Sequence, residues 1–394
     1  MNSSMPYRVK SVDILRGLVM IIMALDHTRD FFHETAMTAD PLNPYTTTVA
    51  LTLTRWITHF CAPVFVLLSG LSAYLASQKR TPSEAGNLLV KRGIWLVIVE
   101  VVIITLGITF NPFYSVIILQ VIWVIGWSMV LLGIVSRWSH KAVLIVGVVL
   151  FFGHNILDHI ALPESGVANV AWKMLFTAMA TVIPVTPRLM LLDLYAILPW
   201  TGVMFMGYSM GKLFTAAYPP EKRRKVLLYA GLSLIVLFFV LRFINIYGDP
   251  SPWQHLYTPI RTAFSFFNVS KYPPSLQYCC ITLGPSLVLL SWLERVKSRW
   301  ADVASVYGSV PFFYYVLHFY LLHILLVMVF YATGHHNNQI IDANSLFFFR
   351  PAVFGYGLPV VYAIWLGVVF VLYFPCRWFS NYKKLHHQWW LRYV

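Results

Sequence analysis

Ser11 to Glu34 reads S-V-D-I-L-R-G-L-V-M-I-I-M-A-L-D-H-T-R-D-F-F-H-E. Gly17 to Leu25 is free of charge, as in a membrane helix, and Asp26, His27, Arg29, Asp30 and His33 then fall within two helical turns. Ionisable side chains near a bilayer core cost several kcal/mol, roughly 2.5–3.5 even on the lenient insertion scale, so they face a cavity or a partner. Asp26, Arg29 and His33 share one helical stripe, and His27 and Asp30 make the neighbouring one. Pairing of Asp26, Arg29 and Asp30 at the water interface would explain the charges alone. It does not explain His27, because imidazole titrates near neutral pH and is a poor choice for charge balance. The stretch therefore marks a wet, titratable site at one end of a membrane span.

The rest of the chain has the same character. Its 394 residues are 58% hydrophobic and only 11% charged, with a mean hydropathy of +0.68, whereas soluble domains carry roughly 25% charged residues. Ten apolar runs approach the roughly 20 residues that cross a bilayer, at about 12–32, 56–77, 93–110, 114–135, 141–158, 189–213, 226–246, 275–293, 309–331 and 356–376. The expected fold is all-α, a polytopic membrane protein of about ten helices forming a single domain over 1–394. Arg8 and Lys10 before the first run resemble a signal peptide, but D-H-T-R-D is no small-residue cleavage site, so an uncleaved first span is expected.

The net charge of +14 does not imply nucleic acid, because the basic residues lie in short loops between apolar runs. With the N-terminus inside, 20 of the 29 Lys and Arg fall on the cytoplasmic side. Eight (Arg29, Arg55, Lys173, Arg188, Arg242, Arg261, Lys271 and Arg350) fall outside, and Arg16 lies within the first span. That bias predicts N-in, C-in. The tail beyond Arg377, with Trp378, Trp389, Trp390 and Tyr393 among basic residues, reads as an interfacial anchor in the lipid bilayer. Cys61, Cys279, Cys280 and Cys376 show neither metal spacing nor a disulfide framework.

Several polar residues inside apolar runs call for partners. Asp13 and Arg16, at i and i+3, either pair locally or draw an anionic ligand from the cytoplasm. The second run opens R-W-I-T-H-F-C-A-P, bringing Arg55 and His59 to the depth of Asp26 and His27, and Pro63 predicts a kink. Glu100 and Asp193 need a partner or a cavity, with Arg16, Arg188 and the histidines as candidates. His154, Asp158 and His159 have only weak metal-like spacing, and no metal is expected. His318 and His323 lie among aromatics, His318 deep in the bilayer, and His335 and His336 read as a solvated loop.

S-V-D-I-L-R-G followed by A-L-D-H-T-R-D-F-F resembles the opening of the heparan-α-glucosaminide N-acetyltransferase catalytic-domain family of transmembrane acyltransferases. R-W-I-T-H-F-C-A-P-V-F-V-L-L-S-G, K-R-G-I-W-L-V-I-V-E, K-Y-P-P-S-L-Q-Y and Y-G-S-V-P-F-F-Y-Y-V-L-H resemble its bacterial members, which places the protein in a bacterial inner membrane. The resemblance implies acetyl-CoA presented from the cytoplasm to an extracytoplasmic sugar or glycan, with a histidine near the outer end of the first span as base. His27 stands where the lysosomal member has asparagine, and His33 approximates that member's catalytic histidine. The lysosomal member's separate luminal domain is expected to be missing here, so the acceptor stays open, as does a homodimer.

The chemistry gives the residues expected roles. His27 is the expected base, with Asp26 or Asp30 holding its tautomer, and Arg29, Arg55 or His59 donating to the oxyanion. His33 is the alternative base. Arg16, Asp13, Arg55 and His318 are the expected donor-binding residues, and Arg29, Asp30, Lys271 and Tyr272 the expected acceptor-binding ones. The competing reading is a secondary transporter, which intramembrane His, Asp and Arg also allow, although the sequence shows no matching pair of broken helices. A structural membrane subunit is the third reading, and the clustering of titratable groups at one depth argues against it.

The charge bias generates a direct prediction. Reporters fused after Ser77 or Gly211 report the cytoplasm, and one fused near Asp249 reports the outside; the inverted pattern would reverse the side from which the donor comes.

Overall fold

The computed structural model describes residues 9–160, 165–178, 181–342, 345–386 and 388–393. Arg8 of the inside charge count and Pro163 lie outside the described residues. In order, the elements are α1 (Lys10–Phe32), α2 (Val49–Thr58), α3 (Cys61–Ser77), α4 (Pro82–Val99), a π-helical turn over Glu100–Ile104, α5 (Thr105–Thr109), β1 (Val116–Leu119) and α6 (Val121–Val135). Next come α7 (His140–Gly153), extended by a 3-10 turn to His159, α8 (Gly166–Trp172), β2 (Thr181–Thr186), β3 (Leu189–Asp193) and α9 (Ile197–Met210). The chain continues through α10 (Pro220–Ile244), α11 (Pro259–Phe267), α12 (Leu276–Leu293), α13 (Arg299–Ser309), α14 (Pro311–Ala332) and α15 (Leu358–Leu385).

Six helical stretches among the described residues are long and apolar enough to cross a membrane: Val49–Ser77, His140–His159, Pro220–Ile244, Leu276–Leu293, Pro311–Ala332 and Leu358–Leu385. The protein is a helical polytopic membrane protein. α1 has the length but also seven ionisable residues, and α4 runs through the π turn into α5 as one bent rod. Local signals set the ends. The Thr81/Glu84 capping box and Pro82 start α4, and Pro311 separates α13 from α14.

The runs expected at 114–135 and 189–213 are not continuous helices. Each is a strand followed by a short helix, β1 into α6 and β3 into α9, and β1 and β3 pair in parallel with β2 antiparallel on the far edge of β3. V-I-I-L and L-M-L-L-D are short apolar runs, which composition alone cannot assign to strand or helix. Both runs are interrupted in the same way, a strand leading into a short helix. Glu100 meets this junction: its Oε1 accepts the Gln120 backbone N–H at 2.7 Å. Among the described residues Glu100 bonds this backbone donor, because a strand–helix joint leaves a buried backbone N–H that must be satisfied. Asp193 ends β3 opposite Leu119 and is fully buried, so it lies in the sheet rather than on the sixth helix.

α1 is the hub, packing against α2, α3, α12, α13, α14 and α15. α13 and α14 run alongside it in parallel: Lys10 pairs with Asp302, Arg16 meets Gly308, His27 meets His318 and the Phe31 ring meets the His323 ring. Close approach requires glycine. A Cβ on Gly17 would fall inside van der Waals contact of the Ala304 carbonyl, and one on Gly308 would collide with the Asp13 carbonyl. Such small-residue contacts let membrane helices pack where hydrophobic burial supplies no drive between them.

Because both colliding atoms are backbone, Gly17→Ala should cost at least about 1–3 kcal/mol. It should also pull Arg16 away from Gly308, read as a lowered melting temperature in detergent. An unchanged melting temperature would mean that α1 and α13 are not held this closely.

Candidate functional site

The break between α2 and α3 has a single cause. Pro63 lacks the N–H that would bond the His59 carbonyl one turn earlier, and that carbonyl instead accepts the Tyr278 hydroxyl at 2.8 Å. The expected kink therefore falls at His59–Phe60 and ends α2 beside α1, with Arg55 in its last turn. Arg55 donates to both carboxylate oxygens of Asp26, at 2.6 Å to Oδ1. Arg29 reaches Asp26 at 3.3 Å and Asp30 at 2.6 Å. Lys271 lies within electrostatic range of Asp26 and His27. Three cations thus surround two carboxyl groups at the outer end of α1, and Arg55 sits here rather than with Arg16.

His27 faces the opposite way. Its Nδ1 lies 2.6 Å from Nε2 of His318, and its ring stacks on Phe319 with centroids 4.4 Å apart. Neither Asp26 nor Asp30 bonds its ring among the described residues; both carboxylates are committed to arginines. His318 is fully buried, and its Nδ1 points at the Tyr314 carbonyl, 3.3 Å away. A carbonyl can only accept, so the hydrogen-bond pattern assigns the proton of His318 to Nδ1 and leaves its Nε2 as acceptor. His27 then donates through Nδ1 and carries its lone pair on Nε2. His27 is half-buried where His318 is sealed, so it is the accessible member of the pair. His59 is turned aside: its Nδ1 bonds the Arg55 carbonyl of its own helix at 2.7 Å.

Below the histidines, a cavity of about 240 Å³ opens toward the inner side, lined by Arg16, Arg92, Lys383, Ser72, Phe312 and Tyr315 among others. Arg16 is held there by Ser72 Oγ at 2.6 Å, the Gly308 carbonyl at 3.1 Å and Asp13 at 3.3 Å. Eleven residues separate Arg16 from His27, about 16 Å along the helix. Of the four expected donor-binding residues, Arg16 lines this cavity and Asp13 orients it; Arg55 and His318 sit at the outer cluster and the histidine pair. Arg92 and Lys383 belong to the inside basic residues expected from the sequence to meet the phosphates of coenzyme A.

On the outer side a second cavity of about 310 Å³ is lined by His33, Glu34, Asp40 and Thr46–Thr48. His33 caps α1, and its Nδ1 lies 3.0 Å from the Thr35 hydroxyl. Its burial, then the Arg29 cation, hold its pKa below the usual imidazole range, so it is neutral at neutral pH. Arg350, fully buried, donates to the His33 carbonyl at 2.7 Å.

Lys271 and Tyr272 come from the long outer loop, and Arg242 builds that loop. Its guanidinium donates to the carbonyls of Ser251, Ser265, Phe266 and Asn268 and to Gln277. Asp249 adds bonds from Ser270 N–H at 2.8 Å and Ser275 Oγ at 2.7 Å. A lone arginine ending an apolar run was the signal for this anchor. His154, on the other flank, lies 2.8 Å from the Pro274 carbonyl, and Asp158 accepts from Asn155. His323 bonds the Phe348 carbonyl at 2.9 Å and stacks on Phe110, apart from the site.

No curated protein matches the chain in sequence. Residues 8–243 match the profile of the heparan-alpha-glucosaminide N-acetyltransferase catalytic family, a span that contains α1 with Arg16, Asp26, His27 and Arg29, and Arg55 of α2. With more than half of its length inside that match, the chain belongs to the heparan-alpha-glucosaminide N-acetyltransferase catalytic family and is a membrane acyltransferase.

Proposed function

We propose that this protein moves an acyl group, acetyl in the first instance, from cytoplasmic acyl-CoA to a hydroxyl or amine of an extracytoplasmic sugar or glycan. The observation that carries the reading is the His27–His318 pair standing between an inner cavity with a cationic rim and the outer cluster of Asp26, Arg29, Arg55 and Lys271. The inner cavity is small against a whole CoA. It takes the acyl-pantetheine arm, while the phosphates stay at the rim with Arg16, Arg92 and Lys383.

His27 is the general base. Its Nε2 takes the proton from the acceptor O–H or N–H as that atom attacks the thioester carbonyl carbon. The tetrahedral intermediate collapses with cleavage of the C–S bond, and the departing thiolate takes the proton back from the imidazolium. The net products are the acylated acceptor and free CoA thiol. His318 holds the tautomer in the role the sequence reading gave to a carboxylate. Asp26 keeps Arg55 and Arg29 in place beside the reacting centre. His33 and the loop residues Lys271 and Tyr272 line the approach of the acceptor, and Asp30 holds Arg29.

A second reading, substrate transport, draws on the paired strand–helix spans β1–α6 and β3–α9, since interrupted helices mark many transporter sites. Vesicles separate the two. Transport would accumulate an intact sugar without consuming acyl-CoA, whereas the proposal requires stoichiometric release of CoA thiol.

Saturating acetyl-CoA should raise the melting temperature of the detergent-solubilised protein, and Arg92→Ala should weaken that shift; a melting curve indifferent to acetyl-CoA would count against the donor site. His27→Ala should lower acyl transfer from acetyl-CoA to glucosamine by roughly 10²–10⁴ while acetyl-CoA still binds. His33→Ala should cost less. Near-normal turnover in His27→Ala beside a dead His33→Ala would move the base to His33.

A further inference from the structure

Tyr315 stands one turn before His318 on α14, where the inner cavity ends. Its ring centroid lies 6.3 Å from that of His27 and 5.4 Å from that of His318. The side chain is 3% exposed, and its hydroxyl has no hydrogen-bond partner among the described residues. A buried hydroxyl left unpaired costs about 1–3 kcal/mol, and phenylalanine would fill the same ring space without that cost. The residue therefore carries a donor without a partner among the described residues, on the lining of the inner cavity and beside the histidine pair.

An acyl donor whose arm fills the cavity brings its thioester to this point. The carbonyl oxygen of a thioester can accept one or two hydrogen bonds, and it gains a full negative charge when the acceptor attacks. Arg55 and Arg29 are committed to Asp26 and Asp30. His59 bonds its own helix through Nδ1, leaving Nε2 as an acceptor. Both arginines are thus held by carboxylates; Arg29 Nε–H, like the Tyr315 hydroxyl, has no partner among the described residues, but of the two only Tyr315 lines the inner cavity.

We propose that Tyr315 is a catalytic residue whose hydroxyl donates to the carbonyl oxygen of the bound acyl thioester and to the oxyanion formed from it. No proton is transferred: the hydroxyl keeps its hydrogen through formation and collapse of the intermediate. This assignment rests on the acyl-transfer reading above and names the group that polarises its donor.

The test is Tyr315→Phe in the full-length protein, read in three ways. The infrared carbonyl band of bound ¹³C-acetyl-CoA should lie at lower frequency in the wild type than in the variant. Turnover of acetyl-CoA with glucosamine should lose roughly 10²–10³ in kcat, the usual loss on removing one oxyanion donor, with KM for acetyl-CoA within a few-fold. The melting temperature without ligand should be unchanged or higher, since an unpaired buried donor has been removed. An identical carbonyl band in the two proteins, or a variant within about threefold of wild-type kcat, overturns the assignment of Tyr315 while leaving the acyl-transfer reading intact. A wild type that neither binds nor consumes acetyl-CoA overturns that reading, and this assignment with it.

Discussion

The structure depends on keeping Asp26 paired in an interior that tolerates no lone charge. Its carboxylate receives Arg55 from α2 and Arg29 from one turn above on α1. Burying either arginine alone would cost several kcal/mol, and breaking such a pair by removing one partner typically costs about 3–5. The cluster therefore fixes the depth and rotation of α2 against α1. The Pro63 break makes that contact geometrically available, because it ends α2 where Arg55 can reach back to Asp26.

The same helix has a second constraint at its other end. Gly17 and Gly308 bring α1 and α13 within backbone contact, and the register so fixed continues up α14. Arg16 is aimed into the inner cavity by bonds to Gly308 and Ser72, and the parallel run of α14 puts His318 opposite His27. One helix thus presents a cation near its N-terminal end, an imidazole further along and an acid–arginine cluster near its C-terminal end. The proposed acyl transfer would use this order with the donor at the Arg16 end, the acceptor at the Asp26 end and proton transfer between.

How much of this was legible in the sequence depends on what each feature's signal was. Apolar length marked the membrane class and the long apolar helices, because bilayer thickness is a one-dimensional constraint, but it overcounted continuous spans. D-H-T-R-D marked the outer cluster, and Arg55 was placed at its depth. The strand–helix spans were not legible, since V-I-I-L and L-M-L-L-D satisfy a membrane helix and a buried strand equally well. The partner of His27 was misassigned to an adjacent carboxylate. His318 lies 291 positions away, and only the parallel packing of α14 on α1 brings the two rings together. Arg242 and Tyr315 are illegible for a related reason: each looks like an ordinary interfacial or core residue until the loop or cavity beside it is seen.

The most direct measurement is an experimental structure with a non-transferable thioether analogue of acetyl-CoA bound in lipid. The account predicts the phosphates at the inner rim beside Arg16, Arg92 and Lys383, the pantetheine arm in the inner cavity, and the acetyl carbon close enough to His27 for an acceptor atom to sit about 3–3.5 Å from it. Analogue bound from the outer face, or an arm that ends short of the Tyr315–His27–His318 group, would contradict it.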